Sequence, residues 1–228
     1  LASQHLIVEA TSPLVPELCR FVSGQHCTVF GSAPGRKLPA GYEDSVIVCA
    51  NGAGYGLARS ADLTVLGAGV SRAGDKTSRH TLRNMNGRFS ERVLFVNPGK
   101  WTDYAERFRD FGFAWRSQEV MTAEARAQFV LALTGYSSGG LVGPDAHSNG
   151  VLALLLAAAA GATRIDATGF SLSPGHFYIE DADTPRNHAG HDLVAMRWLA
   201  TNAPVRFMDD ELRNHLGNPA ATAGPLSA

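Results

Sequence analysis

The side chains best suited to chemistry are gathered in the second half of the chain. His147, Ser148, Asn149 and Gly150 form a polar turn directly ahead of an uncharged Ala/Leu stretch, residues 151–160. This pattern predicts a helix over residues 149–160. A helix start presents unpaired N–H groups and the positive end of the helix dipole, so it suits a phosphate or a carboxylate. Residues 163–170 (TRIDATGF) follow as a short strand and a second glycine turn. Together they make one buried α/β unit with a polar site at its helix N-terminus.

Beyond this unit, His176, His188 and His191 lie close together in sequence, with Tyr178 and Glu180 among them. An imidazole titrates near neutral pH, so a histidine just before the helix expected from Asp192 suits a general base. No pair has the spacing of a zinc site, and HExxH is absent. Asp181 and Asp183 form a DxD pair of the kind that holds a divalent metal on a nucleotide diphosphate. With no further ligands beside them, an exposed acidic turn is the better reading. Gly135-Tyr136-Ser137-Ser138-Gly139 matches GxSxG, whose nucleophilic serine requires a strand before it and a helix after it. The preceding AEARAQFVLAL has helical periodicity instead, which favours a Gly/Ser loop. GSAPGR, from Gly31, lacks the GxGxxG spacing of a dinucleotide fingerprint.

These side chains need elements to carry them. Residues 27–30, 45–50, 61–67, 92–97, 163–169 and 204–208 read as strands, several of them apolar on both faces. Residues 101–111, 122–133, 149–160 and 192–202 read as helices. Such alternation predicts a three-layer α/β/α sandwich on a mostly parallel, Rossmann-like sheet. Ligands of such sheets bind beyond the carboxyl ends of the strands. The turns there hold Gly31 and Ser32, Asn51, Asn97, and Gly169 and Phe170. Residues 68–90 are polar, Arg/Gly-rich and weakly periodic, and read as a long surface excursion. Residues 171–190 read as a lid. The expected organisation is a single domain over residues 1–216 and a loose tail over residues 217–228.

Bulk composition narrows the partners. A chain of 228 residues, 45% hydrophobic and 18% charged, is long and apolar enough to bury a proper core. With 20 basic and 21 acidic residues it lacks the general positive field of a nucleic-acid binder. Cys19, Cys27 and Cys49 have no metal spacing and read as inert core thiols, which fits a reducing, cytoplasmic compartment. No apolar run approaches the ~20 residues that span a bilayer. Expectation therefore extends at most to peripheral association with the inner membrane face, and to a homo-oligomer. Leu1 in place of Met suggests a trimmed or processed chain.

Taken in order, four motifs resemble one family. CTVFGSAPGRKL, SVIVCANGAG, RVLFVNPGKW and SNGVLALLLAAAAGATRIDATGF are similar to the successive motifs of sialyltransferases. The resemblance is to the bacterial family 42, with echoes of the animal family 29, and runs from about Cys27 to Phe207. It implies the sialyltransferase variant of the GT-A fold and inverting transfer of an acidic sugar from a CMP-sugar donor to a glycan hydroxyl. It also implies no metal and no cofactor beyond the donor. The family's nucleotide contacts would carry over to Gly31, Ser32, Asn51, Asn97, Ser148, Asn149 and Gly150, with Gly169 and Phe170 after the fifth strand. Tyr178 would hydrogen-bond the leaving phosphate. The catalytic base would be His188 or His191; the spacing to Asp192 favours His188. Ser32 departs from the Asn often found at its position. The alternatives are a transferase using CMP-Kdo in capsule or lipopolysaccharide synthesis, an esterase using Ser137, and a degenerate nucleotide-binding domain.

Overall fold

The computed structural model describes residues 20–72, 74–137, 140, 146–177 and 187–216. Its elements, in chain order, are β1 (His26–Phe30), β2 (Val46–Ala50), β3 (Ala61–Gly67), α1 (Lys76–Met85), β4 (Phe89–Val96), α2 (Tyr104–Asp110) and β5 (Ala114–Met121). There follow α3 (Ala123–Thr134), α4 (Asn149–Ala159), β6 (Arg164–Thr168), α5 (Ala189–Asn202), β7 (Val205–Phe207) and α6 (Asp210–Leu216). The strands form one sheet in the order β5-β4-β3-β2-β1-β6-β7, and every neighbouring pair is parallel. The expected parallel α/β architecture is borne out. The strand order reverses between β1 and β6, the place where open α/β sheets leave a crevice for ligands.

Period-two alternation divides the strand side chains between the two faces of the sheet. Val29, Val48, Val65 and Leu94 face the α3/α4/α5 side. Leu66, Val93 and Phe95 pack on the other side with α1 and α2, and Phe30, Ile47 and Cys49 form a third cluster. Side chains buried on both faces explain why these strands read as continuous apolar runs. Helix α4 lies in the middle of the first core with eight of its 11 residues buried. Ala and Leu favour a helix and bring no polar atom that burial would leave unpaired, so this sequence can be enclosed on all sides.

Three features depart from the sequence expectation. Residues 68–90 are not a surface excursion: they contain α1, capped by Asp75, whose carboxylate accepts from Ser78 N. Its buried stripe of Ser78, Thr81, Leu82 and Met85 is too polar to stand out among the arginines. β5 was hidden because it is an edge strand, largely polar and exposed along its length. Helix α5 starts earlier than expected, so Ala189 and Gly190 belong to it and not to a lid. The expected tail, residues 217–228, lies outside the described residues.

Candidate functional site

Gly31 and Gly169 close the carboxyl ends of β1 and β6 at the reversal of strand order. Gly31 N donates to Thr168 O at 2.8 Å and Ala33 N to Gly169 O at 2.7 Å. A Cβ on Gly31 would sit 2.3 Å from Gly169 O, and one on Gly169 would sit 2.5 Å from Gly31 O. Only two glycines allow the backbones to meet this closely. Gly169 also has φ +77°. The turn it begins is held from behind by Asp209, whose carboxylate accepts from Gly169 N at 3.3 Å and Phe170 N at 3.1 Å. Burial pushes the Asp209 carboxyl above its usual range despite those two bonds. Phe170 in turn reaches α4: a Cβ on Gly150 would lie 3.0 Å from its ring.

The start of α4 supplies the next wall. Ser148 is its N-cap, with Oγ accepting from Val151 N at 3.2 Å. Asn149 Nδ2 donates to Asn51 Oδ1 at 3.1 Å, and the same oxygen accepts from Gly67 N at 3.0 Å. One side-chain oxygen thus ties the ends of β2 and β3 to the helix start. Asn51 and Asn97 are the two non-glycine described residues with positive φ, 49° and 54°. Asn tolerates that region better than most residues, which explains its use where a strand must turn sharply. Asn97 stands after β4, two strands from Asn51, and its buried Oδ1 has no partner.

Both candidate bases lie at the start of α5. His188 occupies its N-cap position, and Nδ1 donates to Ala146 O at 2.7 Å. A carbonyl can only accept, so this bond fixes the proton on Nδ1 and leaves the lone pair on Nε2. The Nδ1 of His191 instead pairs with the Tyr136 hydroxyl at 3.1 Å, a partner that accepts or donates and leaves the tautomer open. Asp192, buried in the first turn of α5, accepts from Ser148 N at 2.8 Å, while its own N–H donates to His188 O at 2.9 Å. It therefore couples the α4 cap to the candidate base. Burial pushes the Asp192 carboxyl up, against the opposing pull of Ser148, His188 and Arg126.

Sequence reasoning missed Asp192 and Asp209 as ligands of these turns, and it placed His147 in the polar turn without giving it a role. An aspartate inside a predicted helix and another after a short strand carry no motif. His147 is 2% exposed, its Nε2 has no partner, and it packs against the rings of Tyr136 and His191. Burial, with Arg126 and the two neighbouring histidines, lowers its pKa to about 4. Arg126 is itself buried, with an unpartnered Nη2 and a pKa lowered to about 10 by burial.

The other expectations divide. Ser32 Oγ pairs with His176 Nδ1 at 2.6 Å, bringing the β1 turn to the segment after β6. Tyr178, Asp181, Asp183, Ser138 and Cys19 lie outside the described residues. Ser137 follows helix α3, whose left-handed cap is Gly135, so no strand leads into the GxSxG segment. Cys27 and Cys49 are buried strand thiols, their pKa values raised to about 12, first by desolvation. Among the described residues no group of three or more His, Cys, Asp or Glu is placed to hold a metal ion, and no helix is long and apolar enough to cross a membrane.

No family model matches the sequence, and no curated protein matches it significantly. Among solved structures, the crystal structure of monofunctional alpha-2,3-sialyltransferase Cst-I from Campylobacter jejuni superposes with a TM-score of 0.53. The match has 14% sequence identity and covers 85% of this chain and 80% of that one. The fold is shared with a sialyltransferase. An alpha-2,3-sialyltransferase from Campylobacter jejuni in apo form gives a TM-score of 0.48 at 15% identity, covering 85% and 79% of the two chains. At 14% identity the likeness concerns the fold alone.

Proposed function

We propose that this chain is an inverting, metal-independent glycosyltransferase that moves an acidic sugar of the sialic acid class from CMP to a glycan hydroxyl. The observation that carries the reading is a convergence at the β1/β6 crevice. The glycine crossing, the α4 start and a histidine with a fixed tautomer are joined there through Asp209, Phe170 and Asp192. The shared sialyltransferase fold supports it.

In this reading the nucleotide lies across Gly31, Ser32, Gly169 and Phe170. Asn97 presents both donor and acceptor atoms to ribose and base, and Asn51, whose Oδ1 is taken by Gly67 and Asn149, presents its amide N–H groups. The phosphate sits at the α4 start, where Asn149 and Gly150 supply N–H groups and the helix dipole, while Ser148, its own N–H held by Asp192, caps the helix. CMP, with a single phosphate, leaves with less charge than a nucleotide diphosphate, so neutral donors, with Tyr178 among them, are sufficient. The acceptor oxygen attacks the anomeric carbon. Its proton passes to His188 Nε2, and the bond from the anomeric carbon to the phosphate oxygen breaks with its electron pair leaving on CMP. His191 is the second candidate for the base.

The test is CMP release from CMP-sialic acid and from CMP-Kdo, with a glycan acceptor and a chelator present. His188→Ala should lose about 10²-fold or more in kcat, in keeping with general-base catalysis, while His191→Ala loses less. Full activity in both variants overturns the base assignment. Loss on chelation overturns metal independence. Faster turnover of CMP-Kdo transfers the reading to that sugar.

A further inference from the structure

A cavity of about 220 Å³ runs from the segment after β2 to the amino ends of β3 and β4. Ala61 and Phe89, the first residues of β3 and β4, line it, as does Phe113, just before β5. None of the histidines contributes, and of the candidate nucleotide residues only Asn51 reaches its wall. Two lining groups lack the partners that buried or charged groups need. Asn84 Nδ2 is buried without an acceptor. Among the described residues the Arg88 guanidinium meets no carboxylate or carbonyl; its contact is the face of the Tyr55 ring, with Cζ 5.8 Å from the centroid. Arg59, by contrast, is already engaged by Asp62 and by backbone carbonyls. The apolar lining combines the rings of Tyr55, Phe89 and Phe113 with aliphatic side chains such as Leu57 and Met85, and it is partly open to water at Tyr55 (46% exposed) and Phe89 (36%).

We infer that this cavity is a second ligand site, which takes a small aromatic carboxylate. An arginine with no anion beside it suits a carboxylate, to which it can give two parallel hydrogen bonds. The Asn84 amide is placed to donate to the same group or to a ring substituent, relieving a buried unpaired donor. Flat rings at the opening favour a flat ligand face. The volume falls below the roughly 300–1,000 Å³ of sites for drug-sized molecules, so the ligand is of single-ring size and a nucleotide is too large. The site stands apart from the transfer reading, and either can fail without the other.

Benzoate is the probe, with benzamide to remove the charge and acetate to remove the ring. In nitrogen-15 spectra of the intact chain, benzoate should shift the Asn84 side-chain amide, the Gly87 amide and the Arg88 Nε signal, with roughly millimolar affinity. Benzamide and acetate should each bind at least about tenfold more weakly, since a charged bidentate contact and an aromatic face are each lost in turn. Arg88→Met and Asn84→Leu should each weaken benzoate binding while leaving the remainder of the spectrum folded. No shift at these signals with benzoate overturns the proposal, as does equal binding of acetate, or binding unchanged in both variants. Competition between CMP and benzoate also overturns it, because the cavity would then be part of the crevice.

Discussion

Replacing either crossing glycine by alanine separates steric from conformational cost. Gly31→Ala places a Cβ 2.3 Å from Gly169 O and 3.0 Å from the Gly169 carbonyl carbon, both backbone atoms that no rotamer change can move. The ends of β1 and β6 must part by the better part of an ångström. That strains the bonds from Gly31 N to Thr168 O and from Ala33 N to Gly169 O. Two buried backbone bonds left poorly made cost about 2–5 kcal/mol. Gly169→Ala meets Gly31 O at 2.5 Å and adds the left-handed penalty of φ +77°, about 1–2 kcal/mol more. Gly135 provides the control: it has φ +71° with nothing within 4 Å of an added Cβ, so Gly135→Ala should cost only that about 1–2 kcal/mol. Urea denaturation is the assay, with midpoints compared at unchanged m-value. The expected order of destabilisation is Gly135→Ala, then Gly31→Ala, then Gly169→Ala. If Gly31→Ala costs under about 1 kcal/mol, or Gly169→Ala matches Gly135→Ala, the backbone crossing is not as tight as described.

Two further predictions concern buried charge. Asp166 is 1% exposed and accepts from Arg164, Arg206 and His26. Burial alone would raise its pKa, but the two arginines outweigh it and hold the carboxyl below its usual range. Asp166→Asn should cost about 2–4 kcal/mol at neutral pH, somewhat discounted from a fully buried pair because both arginines are half exposed. That stability is complete above the unfolded carboxylate pKa of about 3.9 and is lost as pH falls through the lower folded value. The gap in urea midpoint between wild type and Asp166→Asn should therefore narrow in strong acid; a constant gap would contradict the assignment. His147 acts in a higher window. Its folded pKa of about 4 lies below the unfolded value of about 6.5, so the unfolded chain takes up the proton first. Stability is full above that range and falls by roughly 3 kcal/mol as pH drops through it. His147→Phe should flatten this part of the profile.

The parallel sheet was legible because its central strands are buried on both faces, and doubly covered strands leave continuous runs such as 46–50 and 61–66. Helix α4 was legible for the same reason, with the Ser148 cap marking its start. Edges and surface elements were not. β5 carries Arg116, Gln118 and Glu119 because solvent lies along it, and α1 buries two hydroxyl side chains beside Leu82 and Met85. In the site, glycines and asparagines at strand ends stood out because sharp turns demand them, as the positive φ of Asn51, Asn97 and Gly169 attests. The aspartates that hold those turns did not. Asp192 and Asp209 act through contacts 44 and 40 residues away in sequence, which no local pattern records.

The most direct measurement of the central claim is a thermal melt with CMP and with UDP. CMP at a hundred times its Kd contributes about 2.7 kcal/mol, which for a chain of this size raises Tm by about 5–10 °C. UDP, with a different base and a second phosphate, should leave Tm unchanged. A rise with CMP alone is the predicted result. No rise with CMP, or an equal rise with UDP, would contradict a crevice built for a CMP-sugar.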